Sequence, residues 1–118
     1  MRMTALVLLC LAGAALATAA SAGQAHDYPT AERVVYVEAC MRDHPGAHYE
    51  MLNKCSCVLD ALAQALTYDD YVQMSTAANA TSIGGERGSV IRDAPLLQAQ
   101  IKQYKALQAQ AQKSCFIQ

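Results

Sequence analysis

Four cysteines, Cys40, Cys55, Cys57 and Cys115, constrain this chain more than any other feature. An even number in a short exported domain reads as a disulfide framework. No Cys-x-x-Cys and no Cys-x-x-Cys-His occurs, so neither thiol oxidoreduction nor haem attachment is indicated. Four cysteines allow three connectivities. Joining Cys55 to Cys57 is disfavoured, because residues two apart on a helix point to nearly opposite sides. Two patterns remain, and both tie the region around residue 40 and the C-terminal segment to one central stretch.

The expectation of export comes from the first residues. Met1-Arg2 gives a positive start, Leu6 to Leu11 an apolar stretch running into alanine-rich sequence, and Ala20-Ser21-Ala22 a small-residue cleavage motif. This is the layout of a signal peptide over 1–22, leaving one domain over 23–118. The fifth cysteine, Cys10, is expected to leave with the signal, because Leu8 and Leu9 precede it where a lipoprotein would need small residues. The apolar segment is short for a membrane span, and no second one follows, so no membrane association is expected after cleavage. The formal net charge is −1 and Arg2 belongs to the leader, so the domain is slightly acidic. No basic stripe is present to neutralise phosphates, which argues against nucleic acid as a partner.

The remaining chain reads as all-α, a bundle of about four helices. Tyr28-Pro29-Thr30 opens the first, with proline where its missing N–H costs nothing. Val34, Val37 and Met41 recur at helical spacing, and Asp43-His44-Pro45-Gly46 ends the run. The second helix, about His48 to Leu66, carries the stripe Met51, Cys55, Val58, Leu62 and Leu66, widened by Leu52 and Leu59. Thr67, with Asp70 three residues on, is an acidic version of a capping box and starts a third helix to about Ala78. "NATSIGGERGS" at 79–89 reads as a glycine-rich loop. Asp93-Ala94-Pro95 begins the last helix, whose stripe is Leu97, Ile101, Tyr104, Leu107, Gln108, Ala111 and Cys115. Cys55 and Cys115 both lie on apolar stripes expected to meet, so phase favours Cys55–Cys115 with Cys40–Cys57.

Three constellations offer chemistry. Cys55 and Cys57 with His44 and His48 could bind a soft metal, but disulfides in an oxidising compartment consume the thiols. The loop residues Gly84, Gly85, Arg87 and Gly88 permit close backbone approach and an anion contact; the stretch reads equally as a long connector between the third and fourth helices and as a partner surface. Glu32, Asp69, Asp70 and Asp93 are expected at one pole of the bundle, where four carboxylates would suit a hard cation; the helix starts also favour acidic residues for their own sake. No Ser–His–Asp or Cys–His order suggests a nucleophile, and the chain does not read as an enzyme.

The strings "VEACMRDHPGAHYEMLNKCSCVLDAL", "YDDYVQMSTAANATSIGGERG" and "KSCF" resemble small periplasmic Cys-x-Cys helical proteins encoded near lanthanide-uptake and PQQ-dependent alcohol dehydrogenase genes of methylotrophic bacteria. The resemblance covers most of the domain and implies a periplasmic accessory protein that binds a lanthanide, with a metal-linked homodimer as one arrangement. It assigns no ligand position here, and calcium-loop motifs with alternating aspartates are absent. The sequence therefore points to a periplasmic accessory protein holding a hard cation, such as a lanthanide, at surface carboxylates. Its alternative is a module that binds an exported protein through the 79–89 loop, as adaptor, inhibitor or holdase.

Overall fold

The computed structural model describes residues 27–118; the signal peptide expected over 1–22 lies outside them. Five helices form in chain order: α1 Thr30–Asp43, α2 His48–Ala65, α3 Tyr68–Ala80, α4 Gly85–Arg92 and α5 Pro95–Ser114. The fold is all-α, with no strand among the described residues.

Local chemistry explains most of the boundaries. Pro29 precedes α1 and Pro95 opens α5, both compatible with a helix start. The Thr67 hydroxyl accepts the Asp70 N–H at 3.1 Å, the N-cap bond expected of that pair, and donates to the Asp70 carboxylate at 2.8 Å in place of the Thr67 N–H of a full capping box. The end of α5 is a Schellman motif: the Phe116 N–H reaches the Lys113 carbonyl, the Ile117 N–H reaches the Gln112 carbonyl, and Phe116 holds φ 60°.

α2 is the centre of the core. Cys55, Val58, Leu59, Leu62 and Ala63 are almost wholly buried, and α1 and α5 pack against the helix antiparallel on two sides. Tyr28, just ahead of α1, plugs one end of the bundle: its hydroxyl donates to the Leu66 carbonyl at 3.1 Å and its ring lies 4.8 Å from that of Tyr71. Arg33 clamps this entry by donating to the Tyr28 carbonyl and pairing with Asp60 at 2.8 Å. α1 buries a narrower face than its periodicity suggested. Tyr36, Val37, Cys40 and Met41 turn inward while Val34 is exposed, because the α1 backbone packs closely on α2 alone.

The disulfides join Cys40 to Cys55 and Cys57 to Cys115, with Cα–Cα distances of 5.8 and 5.9 Å. This corrects the pairing favoured from phase, Cys55–Cys115 with Cys40–Cys57. Cys55 does lie on the buried stripe of α2, but the edge it occupies is covered by α1. Cys57, about 200° further round the helix, faces α5. Phase locates a side chain around its own helix; it does not say which neighbour lies over that edge.

The second correction concerns 79–89. This stretch is not all loop, since α4 forms over Gly85–Arg92. Its glycines depress intrinsic helix propensity and hide it from the sequence. Tertiary contacts supply what propensity lacks. The Arg92 guanidinium donates to the carbonyls of Ile83 at 2.9 Å and Gly85 at 3.0 Å. Gly88 is buried against the same Ile83 carbonyl, whose oxygen lies 2.0 Å from where a Cβ would sit.

A tyrosine-lined groove as the candidate functional site

Because α1 rests on α2 and α3 rests mainly on α5, α1 and α3 do not close on each other. The space between them is an open groove of about 400 Å³, walled by α1, α3 and α5. Each wall contributes residues at helical spacing: Glu32, Tyr36 and Asp43 from α1; Tyr71, Ser75 and Asn79 from α3; Tyr104, Gln108 and Gln112 from α5. Val35 and Val72 stand exposed among the lining residues, and His44 lines it just beyond α1.

The groove combines neutral phenols with the Glu32 carboxylate among them and Asp43 at the far end of the α1 wall. The Tyr71 hydroxyl donates to Glu32 Oε1 at 3.0 Å, and this bond crosses the gap between α3 and α1. Burial pushes Tyr71 and Tyr104 well above the usual phenol range; Tyr104 and Glu32 add to it for Tyr71, and Tyr36, Tyr28 and Glu32 add to it for Tyr104. Burial also raises Tyr36, an effect partly offset by the Gln108 amide beside it. All three therefore stay protonated at neutral pH and present hydroxyls that both donate and accept. The Tyr104 ring lies 6.2 Å from that of Tyr71, and its hydroxyl has no hydrogen-bond partner among the described residues.

The residues singled out from sequence are distributed differently from expectation. Glu32 lines the groove. Asp69 and Asp70 are exposed on the first turn of α3, with Asp70 engaged by Thr67, and Asp93 is exposed at the end of α4. Among the described residues no three His, Cys, Asp or Glu side chains come close enough to hold a metal ion, so one chain alone offers no ready cage. Gly84 caps α4, Gly85 holds φ +74°, Gly88 is buried, and Arg87 is exposed without an ion pair among the described residues. The arginine that organises this segment is Arg92. The sequence reading missed the tyrosine groove. Its only legible signal is tyrosine on the inward face of three different helices, which acquires meaning once α1 and α3 are seen to stand apart.

These features define a class: a small all-helical bundle, stapled by two disulfides, with an open phenol-lined groove beside its core. Comparison with family models, with curated proteins and with solved structures found no match that would narrow the class further.

Proposed function

We propose that this chain is an exported accessory protein that acts by binding rather than by catalysis, docking a segment of another exported protein in the groove between α1, α3 and α5. The observation that supports this reading is the unclosed α1–α3 seam. Exposed Val35 and Val72 stand there beside a floor of buried tyrosines, an amphipathic surface of the kind that takes a partner segment. The reading keeps the adaptor expectation and moves its surface from the 79–89 stretch, where Gly88 and Arg92 close the fold, to the groove. A photo-crosslinking residue is placed at Val35 or Val72 in the exported protein, with Gln103 on α5 as an exposed control outside the groove. Discrete adducts are expected from the two groove positions only. Equal adducts from Gln103, or none from the groove, would discard the reading.

A second reading retains the hard cation, such as a lanthanide. It draws on Asp69 and Asp93, which are exposed and whose carboxylates make no hydrogen bond or ion pair among the described residues. With no three ligating side chains together in one chain, a second copy has to complete the shell, since such ions take six to eight oxygens. Lanthanum added at micromolar concentration is then expected to convert monomer to dimer by sedimentation. Asp69→Asn with Asp70→Asn should abolish the change while preserving the α3 cap. Unchanged mass in the parent, or dimerisation that survives the double substitution, would discard it.

A further inference from the structure

The groove contains a half-buried carboxylate without a cation, beside tyrosines that line the same space. Glu32 is half-buried, its one hydrogen bond among the described residues comes from the neutral Tyr71 phenol, and it forms no ion pair there. A charge in such a position is less screened than one in open solvent, so its attraction for a positive group is stronger than at the surface. Tyr104 lines the same groove, and no hydrogen bond to another described residue occupies its hydroxyl. We infer that the groove recognises a basic side chain, arginine or lysine, presented by a partner polypeptide, with the Glu32 carboxylate as counter-charge and the Tyr104 hydroxyl as a second acceptor.

Three features select this occupant. A metal ion would need several anionic oxygens, whereas the phenols around Glu32 are neutral and no third ligating side chain is near. A guanidinium or ammonium brings directional donors to a carboxylate and a hydroxyl, and a guanidinium also stacks on aromatic rings. A small free amine would leave Val35 and Val72 exposed, and the α1 wall from Glu32 to Asp43 runs for about 16 Å, the length of a peptide segment rather than of one amine. Lys105 on the α5 wall carries the opposite charge, so an acidic residue elsewhere in the same segment would be accommodated there.

This inference rests on the groove reading and specifies its chemistry. The oxidised protein is titrated with a labelled alanine- and leucine-based dodecapeptide bearing one central arginine. The same peptide with citrulline keeps the shape and removes the charge. The arginine peptide is expected to bind roughly 10-fold more tightly, in line with a charge-assisted hydrogen bond. Glu32→Gln, which keeps an acceptor for Tyr71, should erase that preference, and Tyr104→Phe should weaken the arginine peptide several-fold, both with unchanged helical circular dichroism. Equal binding of the two peptides, no binding of either, or a preference that survives Glu32→Gln overturns the inference. If both bind equally and Val35→Arg blocks both, the groove remains the docking site and only its selectivity for a basic residue is lost.

Discussion

The α1–α2 and α3–α4 pairs are each joined by four residues, His44–Ala47 in one case and Thr81–Gly84 in the other, yet they are closed by different physics. Below the first link, the Cys40–Cys55 disulfide ties α1 to the most buried helix of the molecule, and the Arg33–Asp60 pair adds a contact further along. The second link has no covalent closure. The Ser82 and Ile83 N–H groups bond back to Asn79 and Ala80, Arg92 folds over the turn, and Gly88 presses on it. Ile83 and Val90 remain exposed. The first link is locked against the core; the second leaves α4 as an attachment to the buried α3, held by a few polar contacts, the kind of region that opens first.

The largest expected effect is on the locked part. Cys40–Cys55 closes a separation of 15 residues and Cys57–Cys115 one of 58, worth about 3 and 4 kcal/mol in the chain-entropy account. Their sum is comparable with the roughly 5–15 kcal/mol stability of a small domain, so full reduction should unfold the protein or nearly so. Thermal melts with and without reductant measure this. A non-reducing peptide map should recover Cys40 with Cys55; the crossed pairing would break the comparison.

Alkaline pH tests the tyrosine plug where α1, α2 and α3 meet. Burial pushes Tyr28 up to about 12, an effect that Arg33 partly opposes and Asp70 slightly adds to. The folded state therefore holds the phenol proton more tightly than the unfolded chain does. Its contribution, on the order of 2 kcal/mol, is fully present below about pH 10 and is lost as pH rises through 12. Tyrosinate absorbance and helical signal should change together in that window, and Tyr28→Phe should reduce the pH dependence. Ionisation well before helix loss would mean the plug is already open.

In the attachment, Gly88→Ala places a Cβ where the Ile83 carbonyl oxygen sits and should cost about 1–3 kcal/mol. Hydrogen exchange is expected to accelerate over α4 while α2 keeps its protection. Equal loss in both would show that the two regions unfold as one unit. Arg87→Ala, at an exposed position, should change stability by less than about 0.5 kcal/mol.

Two left-handed residues, one at the start of α4 and one at the end of α5, allow a further comparison. Gly85 at φ +74° opens α4, and Phe116 at φ 60° ends α5. Gly85→Ala should cost about 1 kcal/mol, whereas Phe116→Gly should gain up to about 1 kcal/mol by relieving the conformational penalty. Phe116 is 79% exposed, so little packing is lost with it. Destabilisation by Phe116→Gly would show that the ring supports the C-terminal turn.

Helix chemistry was readable where it is local. Pro29, Thr67 with Asp70, and Pro95 marked starts that the structure retains, and the buried face of α2 follows Met51, Cys55, Val58 and Leu62. The misses are of another kind. Three glycines disguised α4, since its support comes from Arg92 and from the turn pressed against Gly88. Val34 had the right spacing but no helix to pack against. Glu32, singled out for its carboxylate, accepts a hydrogen bond from the Tyr71 phenol, a partner that no local pattern indicates.

What the sequence determined by itself is the all-helical class, the helix starts, the single buried stripe of α2 and the presence of enough cysteines for two staples. These are properties of short segments, set by periodicity, caps and residue chemistry. Tertiary structure alone decided that Cys55 turns to α1 and Cys57 to α5, that the glycine-rich stretch becomes a helix, and that α1 and α3 stand apart around Tyr36, Tyr71 and Tyr104. The physical reason is that a helix pattern fixes which way a side chain points around its own axis. What lies in that direction depends on contacts between segments far apart in the chain, and no local pattern records them.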